Sequence, residues 1–104
     1  MDQAISKNGI PIRLTNERWL HITTGHPEVA GLYFEILETI ENPMCIYAGN
    51  YDELIAVGKF GNIKEKFIVV VYKEFSVNDG FVLTAYMSNK MQTFKKKKIL
   101  WKQQ

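Results

Sequence analysis

Residues Phe67-Ile-Val-Val-Val-Tyr72 decide the fold, because they form an unbroken run of apolar, mostly β-branched side chains. Such a run has no polar face and is typical of a strand that is buried on both sides. We therefore predict that this stretch is the central strand of a sheet, with other elements covering both of its faces.

Shorter strands are predicted on either side of this run. Residues 44–48, 54–60 and 81–87 are rich in apolar and aromatic side chains. Gly61-Asn62 and Asn78-Asp-Gly80, which lie between the strands, are turn signals. Consecutive strands joined by short turns favour antiparallel pairing.

Alternation along residues 81–88 predicts two different faces for the last of these strands. One face would carry hydroxyl groups and the other apolar side chains: the first holds Thr84, Tyr86 and Ser88, and the second holds Phe81, Leu83, Ala85 and Met87. A row of hydroxyl groups suits a binding surface and equally suits plain solvation, so the pattern leaves both interpretations open.

The first half of the chain predicts a short strand and then a helix. Residues 10–14 alternate apolar side chains with others, which fits a strand. Thr15 or Asn16 can cap the helix that follows, and Gly25 is a natural place for that helix to end.

A second helix is predicted over residues 27–41, where apolar side chains recur three and four residues apart. His26 would then lie at the N-terminus of this helix, where free N–H groups can bind an anion. The expected fold class is α+β, with two N-terminal helices packed on one antiparallel sheet of about four to five strands.

The chain length and the charge distribution limit the function. The 104 residues are expected to form one domain, residues 1–104, with a basic C-terminal tail at about residues 90–104. Residues 1–58 hold three basic and eight acidic side chains, whereas residues 59–104 hold ten lysines and three acidic side chains. This asymmetry indicates RNA or an acidic protein as a partner, and a solvated lysine face is the alternative.

The end of the tail allows three structures. Lys95-Lys-Lys-Lys98 is followed by Ile99-Leu-Trp101, a sequence compatible with a last strand, a short helix or a docking arm. Four lysines on single-stranded phosphates would give a salt slope of about −3, from roughly 0.7 per phosphate.

Several protein classes are not expected. No apolar run approaches the roughly 20 residues of a membrane span, and no signal-peptide pattern is present, so we expect a soluble cytoplasmic protein with no membrane partner. No cofactor or metal motif occurs, although two histidines with Glu28 remain a weaker metal-binding alternative. The single cysteine, Cys45, lies in an apolar strand that disfavours a nucleophilic thiolate.

Both histidines of the chain lie in the stretch Trp19-Leu-His-Ile-Thr-Thr-Gly-His-Pro-Glu28. Histidine suits proton transfer near neutral pH, although a lone histidine beside a tryptophan is more often structural. His21 and His26 are therefore the candidate acid–base residues, and a structural role remains open for each.

The pattern Trp19-x-His-Ile-x-x-x-His-Pro-Glu28, followed by Phe81-Val-Leu-Thr-Ala-Tyr86, resembles the phage-type members of the barnase–EndoU–colicin–RelE (BECR) group of small nucleases. The resemblance covers about residues 10–90. It implies a BECR or RelE-like fold and a metal-independent, toxin-like endoribonuclease. It also implies RNA as substrate, no cofactor, and an antitoxin or immunity protein as a partner.

The resemblance further implies roles for individual residues. His21 and His26 become the catalytic pair, and Thr84, with Tyr86, becomes a sheet-borne group that contacts the scissile phosphate. In such an enzyme one imidazole removes the proton of the 2′-OH and the other protonates the leaving 5′-oxygen. DNA has no 2′-OH, so it should not be cut.

One position departs from the pattern of the family. The residue before the second histidine is often basic in the family, whereas this chain has Gly25. Lysines elsewhere can supply the missing cation, and the predicted RNA-binding side chains are Lys59, Lys73, Lys95, Lys96, Lys97 and Lys98. Without a replacement, the alternative is a weak or inactive RNA- or protein-binding module on the same fold.

Overall fold

The computed structural model describes residues 3–104, which form seven strands, two α-helices and two short 3-10 turns. In chain order the elements are β1 (Gln3–Ile5), β2 (Pro11–Arg13), α1 (Asn16–Gly25), a 3-10 turn (Pro27–Val29), α2 (Tyr33–Glu41), β3 (Cys45–Ala48), β4 (Leu54–Lys59), β5 (Phe67–Ser76), β6 (Asp79–Ser88), a 3-10 turn (Met91–Phe94) and β7 (Ile99–Lys102). The predicted α+β class, with both helices in the first half of the chain, is confirmed.

All seven strands belong to one mixed sheet with the spatial order β1-β2-β6-β5-β4-β3-β7. β5, which contains the apolar run, lies in the middle of the sheet as predicted. The prediction of about four to five strands, all antiparallel, is wrong. β2 pairs parallel with β6, and β1 and β7 extend the two edges of the sheet.

The additional strands carry weak sequence signals. β1 has three residues, of which only Ala4 is buried, so its alternation is too short to recognise. In the tail, a 3-10 turn comes before the lysine run and β7 comes after it. Of the strand, the short helix and the docking arm that the tail sequence allows, residues 99–102 form the strand. The parallel pairing joins strands separated by both helices and three other strands, a long-range contact that local patterns do not encode.

Gly80 is required where β2 meets β6, because the two strands approach closely there. Gly80 pairs with Ile12. A Cβ atom at this position would lie 2.5 Å from Ile12 Cδ1 and 2.6 Å from the backbone oxygen of Lys73. The turn signal around Gly80 therefore also marks a packing constraint.

Two apolar cores lie on opposite faces of the sheet. The first lies between the sheet and the helices, with Ile22, Ile36 and Ile40 facing the sheet from α1 and α2. The second, on the other face, is covered by Phe94, whose ring stacks on Tyr47 at 5.2 Å between centroids. β5 contributes to both cores, which confirms its predicted burial on two sides.

The helix α1 follows its prediction, whereas the second helix begins later than expected. Thr15 Oγ1 accepts a hydrogen bond from the Arg18 N–H at 3.1 Å and caps α1. The chain then forms the 3-10 turn Pro27–Val29, and α2 starts only after Leu32, whose φ of −116° is not helical. His26 is therefore not at the N-terminus of an α-helix, so the predicted start of the second helix is wrong.

Candidate functional site

The segment that carries both histidines lies along an edge of β6. β6 pairs with β5 along its length, whereas β2 covers its other side only near its start. Beyond that point, Arg18 Nη1 donates to the carbonyl oxygen of Leu83 at 3.3 Å, and the Met87 N–H donates to Glu28 Oε2 at 3.4 Å. These side chains bind backbone groups that an open strand would offer to another chain. We call this side of β6, from Leu83 to Met87, the β6 edge.

His26 lies beside the β6 edge, where α1 ends. Its backbone N–H donates to the carbonyl oxygen of Ile22 at 2.7 Å. Its ring lies 5.7 Å from the Tyr86 ring between centroids, with an interplanar angle of 34°. Glu28 Oε2 lies 3.5 Å from His26 Nδ1, so the carboxylate that binds Met87 also faces the imidazole. The Glu28 carboxylate therefore lies on the Nδ1 side of the His26 ring.

His21 is exposed on α1, one turn after Arg18, and the two side chains line a shallow depression of about 400 Å³. Residues three apart share one side of a helix, and Arg18 reaches Leu83, so this side of α1 adjoins the β6 edge. Within residues 3–104, no hydrogen bond, ion pair or ring contact joins His21 to His26. The structure thus brings His26 to Tyr86, and among the described residues His21 contacts neither of them.

A β-bulge in β6 changes which side chains share a face. Val71 pairs with Thr84, and Tyr72 pairs with Val82, so Leu83 is an extra residue with no partner in β5. Side chains alternate strictly only in a regular strand, and one inserted residue reverses the alternation on one side of the bulge.

The bulge overturns part of the predicted face assignment. Phe81 pairs with Lys73, one position beyond the buried Tyr72, and therefore faces the same side as Thr84 and Tyr86. The prediction that Phe81 shares the apolar core face is wrong, and Val82 takes that place in the first core. We call the face that carries Phe81, Thr84 and Tyr86 the outer face.

Tyr86 and Thr84 provide two hydroxyl groups on the outer face. Tyr86 is half-buried against the second core, and this burial raises the pKa of its phenol above the usual value. Its hydroxyl group therefore keeps its proton at neutral pH and can donate a hydrogen bond. Thr84 is also half-buried on this face, two residues before Tyr86.

Two predicted RNA-binding lysines lie at opposite ends of the outer face. Lys59 pairs with Phe67 at one end, and Lys73 pairs with Phe81 at the other. The six-residue distance from Phe67 to Lys73 along β5 spans about 20 Å, at roughly 3.3 Å per residue. A basic side chain thus stands at each end of a face that carries aromatic rings and hydroxyl groups.

The four tail lysines lie between the turn Met91–Phe94 and β7. Phe94 holds this connection against the second core, on the outer side of the sheet. The backbone N–H of Tyr51 is the main group that lowers the pKa of Glu53, and Lys97 and Lys73 add smaller electrostatic contributions. The tail and β5 therefore place positive charge near the same carboxylate.

Other features of residues 3–104 lie away from the β6 edge. In this part of the chain no three histidine, cysteine or acidic side chains converge to hold a metal ion, so the arrangement with Glu28 is not formed. A cavity of about 580 Å³ between α2 and the end of β4 includes Lys59 but neither histidine. Burial raises the pKa of the Cys45 thiol, in agreement with its predicted lack of reactivity. None of the described helices is both long and apolar enough to cross a membrane.

Two contributions to the β6 edge do not follow from the sequence pattern alone. Arg18 lies three residues before His21, a spacing that could have pointed to a cation on the same side of α1. Glu28 belongs to the histidine motif, but no sequence pattern shows that its carboxylate binds the backbone of Met87.

Comparison of the chain with protein-family models, curated proteins and solved structures finds no match.

Proposed function

We propose that this protein is a metal-independent, toxin-like endoribonuclease of the phage-type BECR kind, with its site at the β6 edge. The observation that carries the proposal is the His26 ring beside Tyr86, with the Glu28 carboxylate at Nδ1. An imidazole that faces a carboxylate and lies beside a tyrosine ring is a candidate for proton transfer to or from a phosphodiester.

The proposed reaction is attack of the 2′-oxygen on the adjacent phosphorus. The bond from phosphorus to the 5′-oxygen breaks, which leaves a 2′,3′-cyclic phosphate and a 5′-hydroxyl. One imidazole takes the 2′ proton and the other gives a proton to the 5′-oxygen, each step contributing typically about 10²–10⁴-fold. His26 and His21 take these two roles, and hydroxyl donors from Tyr86 and Thr84 stabilise the phosphate oxygens.

The geometry supports a phosphate placed near Thr84. Arg18, which shares one side of α1 with His21, contacts β6 at Leu83, and the His26 ring contacts β6 at Tyr86. These two strand positions are about 10 Å apart, at roughly 3.3 Å per residue. A phosphate between them would have one imidazole on each side, and the Arg18 guanidinium would supply part of the charge that Gly25 lacks.

The outer face favours single-stranded RNA as the substrate. Phe67, Phe81 and Tyr86 are half-exposed there, with Lys59 and Lys73 at the ends. Unpaired bases stack on sheet-borne aromatic rings while lysines contact the phosphates. Because an unrestrained RNase damages its own cell, the proposal includes a cytoplasmic antitoxin or immunity protein that blocks this face.

Cleavage of a labelled single-stranded RNA in excess EDTA tests the proposal. We expect products that end in a 2′,3′-cyclic phosphate from the parent protein, and none from His26→Ala or His21→Ala. Both side chains lie outside the cores, so the variants should keep the circular dichroism spectrum and melting temperature of the parent. Cleavage that persists in the double variant would refute the assignment.

A binding module without cleavage is the second candidate, and Gly25, which leaves no cation directly before His26, favours it. It predicts salt-sensitive RNA binding without cleavage at any pH or with any added metal ion. Fluorescence anisotropy against salt concentration would measure it, with a slope of about −3 if four lysines contact phosphates. Lys59→Glu with Lys73→Glu should weaken this binding, whereas Tyr86→Phe should leave most of it.

A further inference from the structure

β7 leaves one side of its backbone open. Among residues 3–104, β3 is its only strand partner. The Gln103 N–H donates to the carbonyl oxygen of Met44 at 3.0 Å, and the carbonyl oxygen of Lys98 accepts from the Ala48 N–H at 2.9 Å. Hydrogen-bonding groups alternate in antiparallel pairs, so the N–H and carbonyl of Lys102 point away from β3. Unlike the β6 edge, this edge receives no side-chain hydrogen bond in the described part of the chain.

The open edge of β7 also exposes apolar side chains. Ile99 is 51% exposed and Leu100 is 46% exposed. Leu100 has no partner in β3, because the register skips it. Trp101 packs inward against the first core, with Lys7 Nζ 4.9 Å from the centre of its ring. Exposed apolar side chains on an open strand edge indicate an interaction site.

Charge selects the kind of partner that fits this edge. Lys95 to Lys98 precede β7, and Lys102 ends it. A second copy of the chain would bring the same lysines face to face, and like charges on paired strands are destabilising. RNA could use the lysines but would leave the backbone edge and the two apolar side chains unused. An extended acidic segment can bind the lysines, pair with the open backbone edge and cover the two apolar side chains.

We propose that β7 is the docking edge for an extended acidic segment of a partner protein, which adds a further strand to the sheet. The backbone of the segment pairs with the open side of Lys102. Its carboxylates lie near Lys98 and Lys102, and its apolar side chains cover Ile99 and Leu100. This edge is separate from the β6 edge, so the inference stands whether or not the protein cleaves RNA.

A synthetic peptide of alternating valine and glutamate, about ten residues long and capped at both ends, is a direct probe. One control peptide carries lysine in place of glutamate. The other carries proline at every second position, which removes its N–H groups for pairing. We expect only the first peptide to bind and to slow the hydrogen exchange of the Lys102 amide.

Charge reversal on the protein locates the binding. Lys98→Glu with Lys102→Glu should weaken binding of the acidic peptide by about tenfold or more. Lys64→Glu with Lys66→Glu makes the same charge change in the exposed β4–β5 loop and should leave the affinity nearly unchanged. The inference is overturned if the acidic peptide does not bind, if the proline peptide binds equally well, or if oligouridylate instead protects the Lys102 amide.

Discussion

Replacing Gly25 with arginine tests the proposed site, because it adds the cation that the resemblance leads us to expect. Gly25 is the last residue of α1 and directly precedes His26. A Cβ atom at this position would meet no atom within 4 Å, and its φ is outside the left-handed region. Arginine is also a better helix former than glycine, by up to roughly 1 kcal/mol in a helix interior. The variant should therefore fold at least as stably as the parent.

The expected gain in rate follows from the position of the new charge. A guanidinium beside His26 would stabilise the negative charge that develops on the phosphate oxygens during attack. Loss of one preorganised donor typically costs about 10²–10³ in rate. The His26 side chain is 41% exposed, and water weakens charge interactions. We therefore expect Gly25→Arg to raise the single-turnover cleavage rate by about tenfold to a hundredfold.

The assay is cleavage of labelled single-stranded RNA in excess EDTA, with enzyme in excess over RNA. Gly25→Gln reproduces the change in helix propensity without the charge. Gly31→Arg adds the same charge at another position that is open within 4 Å. Both controls should cleave at the parent rate. An equal gain in Gly31→Arg, or a Gly25→Arg gain that survives loss of His26, would refute the reasoning.

Three further changes test the fold and its response to pH. Gly80→Ala forces a Cβ atom to within 2.6 Å of the Lys73 backbone oxygen and should lower the free energy of unfolding in urea by about 1–3 kcal/mol. Phe94→Ala uncovers the second core and should cost about 3–5 kcal/mol in the same assay, with Phe94→Leu costing much less. The Arg13 guanidinium, mainly through its hydrogen bond, lowers the pKa of Asp79 below the ordinary 3.8. The ionised Asp79 carboxylate therefore contributes fully to stability above pH 3.8, and this contribution is lost as the pH falls through the lowered pKa. In Asp79→Asn the melting temperature should depend less on pH in that acidic range.

Local features of the fold could be predicted because their causes are local. The apolar run in β5 has no polar side that could face water. Its residues alone therefore predict that this strand lies in the middle of the sheet. The hydroxyl of Thr15 and the glycine at position 25 likewise mark the ends of α1 through contacts within one turn. The second helix failed as a prediction because its apolar spacing continues through Gly31, although the chain turns there before α2 begins.

Contacts between distant residues could not be predicted in the same way. The parallel pairing of Ile12 with Gly80 and the bulge at Leu83 depend on how separate strands meet. The bulge decides that Phe81 shares the outer face with Tyr86, so strict alternation gave a wrong answer at the site itself. The two histidines are five residues apart in the sequence, and this spacing does not show which of them contacts Tyr86. In the structure that residue is His26.

The separation of His21 from His26 fits the division of roles that the reaction needs. The base acts on the 2′-oxygen and the acid on the 5′-oxygen, which lie on opposite sides of phosphorus, so two imidazoles in contact could not serve both. A 5′-phosphorothiolate substrate tests this argument, since its sulfur leaves without needing a proton. We expect this substrate to restore most of the rate in only one of the variants His21→Ala and His26→Ala, namely the one that lacks the acid. The acid contributes about 10²–10⁴-fold to the rate, and the sulfur leaving group removes the need for it. Rescue of both variants, or of neither, would show that the two histidines do not divide the proton transfers between them.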